Sequence, residues 1–247
     1  MQQPVVGILM LKTGFPRPGG DIGNERTWPF PVLYETVDLA TVDRVVNRSP
    51  PLDILLEPFV EAGLRLVDAG ASLITTSCGF LILLQADLSA RLPVPVATSS
   101  LLQIPLVQTT LPEGRQVGVI TVDAANLTKA HLRAAGAPED TPVVGTEGGR
   151  ELTKVIMSDL AELDVAAAEV DVVQAGERLL ANTPSTGAIV LECTNMAPYA
   201  NALQRHIGLP VYDIVSLICW FQGGANPRTW PDKATFRGEK HVGRNSD

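Results

Sequence analysis

An internal repeat constrains the fold of this 247-residue chain more than any other feature. Cys78 and Cys193 each end an apolar run typical of a buried strand, and each opens a stretch with helical character. A leucine follows each cysteine after ten residues, and a Pro-Val pair follows after seventeen. The pattern therefore occurs twice, with an offset of 115 residues (193 − 78). It predicts two similar halves that carry one cysteine each and place both thiols at a shared cleft.

Alternation of strands and helices predicts the fold class. The apolar run 5–11 is typical of a strand buried on both faces. Its sequence Val-Gly-Ile-Leu-Met at 6–10 is similar to Val-Gly-Val-Ile-Thr at 117–121 in the second half. Strands and helices at this spacing predict parallel sheets. We therefore expect an α/β protein of two pseudo-symmetric parallel-sheet halves with the active site between them. The first half is predicted to comprise 1–112 and 208–247, the second 113–207, and 223–247 is predicted to be a loose tail.

Charge, hydropathy and cysteine content exclude several classes of function. A net charge of −8 and a pI near 4.9 argue against nucleic acid or an anionic membrane as the partner. No apolar run reaches the roughly 18 residues of a membrane span, and the N-terminus does not resemble a signal peptide. Three cysteines in a long chain favour free thiols in a reducing compartment, so we expect a cytoplasmic protein. No pair of cysteines or histidines has metal-ligand spacing, and no metal site is expected.

The segment 12–51 differs from the rest of the chain. It contains six prolines and the turn sequence Pro-Gly-Gly-Asp at 18–21, with little periodicity. A long irregular segment within a domain is usually functional. We therefore expect a lid or a substrate-contacting loop here.

Both repeated cysteines lie where parallel sheets bind ligands, beyond the carboxyl ends of strands. The amide N–H groups at a helix N-terminus attract carboxylates and lower the pKa of a thiol, so each cysteine is expected to be activated. Glu192, next to Cys193, has the opposite expected effect, because a negative neighbour raises the pKa of a thiol. A single cysteine is more often a small core residue, and Cys219, in an apolar segment, is expected to pack in this way.

The residues around the two cysteines resemble those of the aspartate/glutamate racemase superfamily. The resemblance rests on Thr-Ser-Cys-Gly-Phe at 76–80, Glu-Cys-Thr-Asn-Met at 192–196 and the strand Val-Gly-Val-Ile-Thr at 117–121, and extends from Val5 to about Phe221. It implies two similar α/β halves and paired cysteines that face each other across the α-carbon of a small carboxylate. It also implies catalysis without cofactor or metal, and it allows a homodimer.

Carried over to this sequence, the resemblance makes Cys78 and Cys193 the two acid/base groups. One thiolate would remove the α-proton, and the opposite thiol would return a proton to the other face. After the first strand, where amino-acid racemases commonly carry Asp or Ser, this chain has Lys12, which disfavours an ordinary α-amino acid. The residues implied to bind the substrate are Lys12, Ser77, Gly79, Thr121, Thr194 and Asn195.

Three functions remain open at this point. The first is a cofactor-independent racemase or epimerase of an amino-acid-like or hydantoin-like carboxylate. The second is a maleate-type cis-trans isomerase or a malonate decarboxylase of the same superfamily, although decarboxylases keep only the second cysteine. The third is a non-catalytic protein that binds a small carboxylate.

Overall fold

The computed structural model describes residues 3–227 and contains two four-stranded parallel sheets flanked by helices, so the predicted two-half α/β fold is confirmed. The strands are β1 (Val5–Leu11), β2 (Val32–Val37), β3 (Ala71–Thr76), β4 (Val96–Ala97), β5 (Gln116–Thr121), β6 (Val143–Gly145), β7 (Thr186–Leu191) and β8 (Val211–Tyr212). Their order is β2-β1-β3-β4 in the first sheet and β6-β5-β7-β8 in the second. The two sheets thus have the same topology, as the repeat predicts.

Helices and short 3₁₀ turns connect these strands. The segments that follow Cys78 and Cys193 both start as 3₁₀ turns, at Gly79–Leu84 and Ala197–Tyr199, before an α-helix forms. The α-helices are α1 (Val42–Val45), α2 (Leu52–Asp68), α3 (Gln85–Arg91), α4 (Ile104–Thr110), α5 (Lys129–Ala134), α6 (Leu152–Met157), α7 (Val165–Asn182), α8 (Ala200–Ile207) and α9 (Ile214–Ala225). Within residues 3–227, none of them is long and apolar enough to cross a membrane.

Two glycines in equivalent strands let a helix pack closely on each sheet. A Cβ at Gly7 of β1 would lie 2.7 Å from Ile74 Cδ1 and 3.1 Å from Leu66 Cδ1 of α2. A Cβ at Gly118 of β5 would lie 2.7 Å from Leu179 Cδ2 of α7. The 2.7 Å approaches are closer than a real Cβ comes to another atom, so a larger residue at either position would displace the neighbouring side chain.

The C-terminal part of the described chain crosses from one half to the other. Strand β8 pairs with β7 in the second sheet, so the predicted boundary at 207/208 falls ahead of a strand of the second half. Helix α9 then joins the core of the first half, where Ile214, Leu217 and Ile218 belong to one buried cluster with side chains of β1, β3 and β4. The helix continues to Ala225, so the predicted loose tail does not begin at 223; residues 228–247 lie outside the described part.

Cys219 corrects one expectation from the sequence. Its side chain is exposed and does not pack in the core. Helical periodicity explains the difference, because α9 directs 214, 217 and 218 inward and therefore directs 219 and 220 outward. Trp220 beside it is 67 % exposed.

Candidate active site

A small cavity at the carboxyl ends of β3 and β7 contains both cysteines of the repeat. Cys78 comes two residues after β3 and Cys193 two residues after β7, so one thiol comes from each half. The empty space of the cavity, about 350 Å³, includes the part that is open to solvent. Its walls are mostly apolar, with a few polar groups near the thiols. The lining residues are Leu11, Thr13, Phe15, Arg17, Val42, Val46, Ser77, Cys78, Phe80, Val122, Ile156, Glu192, Cys193 and Asn195.

Both thiols are buried, and their surroundings hold them protonated. Burial raises the pKa of each thiol well above its usual value, and the charge of Glu192 raises both further. Backbone N–H groups of residues 80 and 81 lower the pKa of Cys78, and that of Asn195 lowers the pKa of Cys193, but these effects are smaller. The expected activation by helix N-termini is therefore outweighed by burial. A charge on Cys78 also raises the pKa of Cys193, although less than burial and Glu192 do.

Glu192 is a carboxyl group buried between the two halves. Its Oε2 accepts a hydrogen bond from Thr121 Oγ1 at 2.6 Å, whereas its Oε1 has no partner among the described residues. Burial raises the pKa of Glu192 to about 7. The close approach depends on Gly79, since a Cβ there would lie 2.2 Å from Glu192 Oε1. The sequence therefore places glycine opposite a buried acid beside both thiols.

Arg17 contributes the cation that lines the cavity. Its Nη1 donates to Asp21 at 2.9 Å and its Nη2 donates to Thr13 Oγ1 at 2.8 Å. The guanidinium also lies 4.7 Å from the ring centroid of Phe15. Its charge lowers the pKa of Cys78, although burial and Glu192 act more strongly in the opposite direction. These contacts fix Arg17 in place with part of its hydrogen-bonding capacity still available.

The segment 12–51 covers the cavity and is held by the second half. Asp159 Oδ1 accepts hydrogen bonds from the backbone N–H groups of Gly14 and Phe15, at 2.6 and 3.1 Å. Asn195 Nδ2 donates to Asp21 Oδ2 at 2.7 Å, next to the 3.5 Å contact between Cys193 Sγ and Asn195 Oδ1. The segment thus connects the two halves directly over the thiols.

Of the residues implied to bind substrate, two line the cavity beside the cysteines, namely Ser77 and Asn195. Three others lie behind it and hold its walls. Thr121 donates to Glu192, Gly79 packs against the same carboxyl group, and Thr194 donates to the carbonyl of Ser77 at 2.6 Å. The hydroxyl of Ser77 in turn accepts from the N–H of Leu11 at 2.9 Å, which ties β1 to the end of β3.

Lys12 does not line the cavity. Its ammonium group forms an exposed ion pair with Asp38 at 3.1 Å. Strand geometry explains this position, because successive side chains of β1 point to opposite faces and Leu11 already faces the cavity. The cation at the site comes instead from Arg17, five residues further along the chain.

Sequence reasoning identified the covering segment but missed the residues that it contributes. Arg17 stands in Pro-Arg-Pro-Gly-Gly-Asp, and a charged residue within this rigid turn was the available signal. The apolar walls from Phe15, Val42 and Val46 gave no separate signal, since each resembles an ordinary core residue. Among residues 3–227, no group of three or more His, Cys, Asp or Glu side chains is arranged to hold a metal ion.

Comparison with known proteins confirms the resemblance that the cysteine motifs predict. The sequence pattern of the family described as Asp/Glu/Hydantoin racemase matches residues 105–221. Among solved structures, the fold is similar to those of an unliganded arylmalonate decarboxylase, a glutamate racemase from Bacillus anthracis and an allantoin racemase from Pseudomonas fluorescens. The decarboxylase has a TM-score of 0.57 and 16 % identity, over 89 % of this chain and 91 % of its own. The glutamate racemase has a TM-score of 0.55 and 12 % identity, over 92 % of this chain and 84 % of its own. The allantoin racemase has a TM-score of 0.54 and 15 % identity, over 96 % of this chain and 100 % of its own.

Curated relatives with higher identity are named as lyases. The chain is 24 % identical to a dimethylsulfoniopropionate lyase of Durusdinium sp. clade D, over 90 % of this chain and 76 % of that protein. It is 27 % identical to dimethylsulfoniopropionate lyase 3 of Emiliania huxleyi (strain CCMP1516), over 86 % of this chain and 57 % of that protein. The chain is 24 % identical to dimethylsulfoniopropionate lyase 5 of the same strain, over 87 % of this chain and 44 % of that protein. The chain therefore spans only about half of these two algal proteins.

Proposed function

Because the chain carries the fold of the Asp/Glu racemase superfamily and matches its family pattern over 105–221, we propose that it is a cofactor-independent enzyme of carbon-acid chemistry. In this proposal, a cysteine removes the proton from the α-carbon of a small carboxylate. The observation that carries the proposal is the presence of two buried thiols, one from each half, in one cavity that also contains Arg17.

Arg17 is proposed to bind the carboxylate of the substrate. A guanidinium binds a carboxylate through charge-assisted hydrogen bonds and stabilises the negative charge that spreads onto it when the α-proton leaves. Ser77 and Asn195 supply further polar groups at the same cavity. The apolar walls exclude water and favour a substituent with little polarity.

The first candidate reaction is racemisation or epimerisation with both thiols. The thiolate of one cysteine takes the α-proton, and the electron pair spreads into the carboxylate as an enediolate. The thiol of the other cysteine then donates its proton to the opposite face of the carbon. The two cysteines exchange protonation states in each turnover, and exchange with solvent restores the starting state. The origin of one thiol in each half favours this reaction.

The second candidate is β-elimination, and the names of the curated relatives favour it. The first step is the same removal of the α-proton by a thiolate. The electron pair then forms a carbon–carbon double bond while the bond to a leaving group on the β-carbon breaks. A dimethylsulfonium group would leave as dimethyl sulfide, and the product would be an α,β-unsaturated carboxylate. Isomerisation of a maleate-like alkene, decarboxylation of a malonate and binding without turnover are less favoured outcomes.

Proton NMR in D₂O distinguishes these reactions. The enzyme is incubated with α-substituted carboxylates, amino acids, hydantoins, maleate, a substituted malonate and dimethylsulfoniopropionate. Loss of an α-proton signal with inversion of configuration would support a racemase, and appearance of acrylate and dimethyl sulfide would support the lyase. Consumption of maleate or malonate alone would contradict both candidates. The absence of any change across the panel would contradict the proposed carbon-acid chemistry.

A further inference from the structure

The buried carboxyl group of Glu192 lacks a partner that its surroundings require. Its side chain is completely buried, Thr121 satisfies only Oε2, and Oε1 has no hydrogen-bond partner among the described residues. An ionised carboxylate oxygen without a partner is costly in a buried site. Glu192 is also one of the residues that line the cavity, so a molecule bound there can supply that partner.

The charges around this cavity are asymmetric. Arg17 is the cation among the lining residues, and it is already paired with Asp21. The charge of Glu192 acts on the thiols of Cys78 and Cys193, which add no positive charge. No described cation therefore forms an ion pair with Glu192. A ligand with an anionic group for Arg17 and a cationic group for Glu192 would complete both sites.

We propose that Glu192 binds the positively charged group of a zwitterionic substrate and that this ion pair permits one of the two cysteines to lose its proton. The inference rests on the proposed function, since it assigns a substrate class and a specificity residue to the same cavity. The cationic group is an ammonium or sulfonium, and the apolar walls suit alkyl groups attached to it.

The coupling between Glu192 and the thiols gives the ion pair its second role. The charge of Glu192 is the largest cause after burial that raises the pKa of each cysteine. A cation that neutralises this charge removes that effect, and the released thiol proton passes to solvent water. A neutral substrate of the same shape would leave the charge of Glu192 in place and the thiols protonated. Selectivity for a cationic substrate and activation of the base therefore arise from one contact.

The matched ligands 3-(trimethylammonio)propionate and 4,4-dimethylpentanoate test this proposal, because they differ only by a positive nitrogen in place of a carbon. Isothermal titration calorimetry at pH 8 measures the affinity of each for the protein. We expect the cationic ligand to bind roughly 10- to 100-fold more tightly, the range of a partly desolvated ion pair. Equal affinities, or no measurable binding of the cationic ligand, would overturn the proposal without any need for a variant.

The isosteric substitution Glu192→Gln provides the second arm. We expect it to abolish the preference for the cationic ligand and to accelerate alkylation of Cys78 and Cys193 by iodoacetamide at pH 8. The exposed Cys219 is the internal control and should react at an unchanged rate. A variant that retains the preference would overturn the proposal. The test compares affinities, so its outcome does not depend on whether α-proton removal is observed.

Discussion

At the scale of single residues, Cys78 and Cys193 differ from Cys219 in their surroundings and not in their chemistry. The first two are buried beside Glu192, and their pKa is raised by both effects. Cys219 is exposed on α9. Its thiol loses less contact with solvent than those of Cys78 and Cys193, and this partial desolvation raises its pKa. We expect iodoacetamide at pH 8 to alkylate Cys219 first and the buried pair more slowly, as measured by peptide mass spectrometry. Faster labelling of either buried cysteine in the free protein would contradict their assignment as protonated thiols.

Arg17 and Lys12 form a matched pair for a test of carboxylate binding. Arg17 lines the cavity, whereas Lys12 forms an exposed ion pair away from it. We expect Arg17→Met to raise KM about 10- to 100-fold, because a charge-assisted hydrogen bond to the substrate is lost. Lys12→Met should leave KM and kcat nearly unchanged. Steady-state kinetics on the substrate found by NMR measures both variants, and a larger effect at Lys12 would reverse the assignment.

At the scale of secondary-structure elements, the covering segment is fixed by a few contacts with the second half. Asp159 accepts two backbone hydrogen bonds from residues 14 and 15, and its φ of 49° is unusual for a residue other than glycine. We expect Asp159→Ala to speed amide hydrogen exchange in 13–17 and to raise KM, because the segment closes less often over the cavity. The exposed neighbour Glu162 provides the control, and Glu162→Ala should change neither quantity. Unchanged exchange in both variants would show that Asp159 does not hold the segment.

The elements that carry the repeat could be predicted from the sequence, and their ends could not. Apolar runs located the central strands of each sheet, since a strand buried on both faces has no polar alternation to obscure it. Proline is common in the first turn of a helix, yet Pro58 lies inside α2, which already begins at Leu52. The two thiols could be predicted because Cys78 and Cys193 lie both in the internal repeat and in the motifs that resemble the racemase superfamily. The contribution of Arg17 depends on how an irregular segment folds back over the sheets, and no periodicity encodes that path.

At the scale of the whole molecule, the buried Glu192 makes stability depend on pH. Its pKa is raised to about 7 in the folded state from an ordinary value of 4.5, so the folded state holds the proton more tightly. This contribution to stability is complete below pH 4.5 and is lost as pH rises through 7. We expect the stability difference between the native protein and Glu192→Gln to fall by about 3 kcal/mol between pH 4.5 and 8. Urea unfolding at the two pH values measures this difference, and a constant difference would mean that Glu192 titrates normally.

The arrangement of the whole molecule places one thiol from each half in a single cavity, and the central claim is that these thiols move the α-proton. The most direct measurement is the rate of α-proton exchange into D₂O for Cys78→Ala, Cys193→Ala and Cys219→Ala, followed by proton NMR on the identified substrate. We expect racemisation to slow by about 10²- to 10⁴-fold or more in both Cys78→Ala and Cys193→Ala. Cys219→Ala should retain the native rate. Exchange at the native rate in either Cys78→Ala or Cys193→Ala would contradict a role for both thiols.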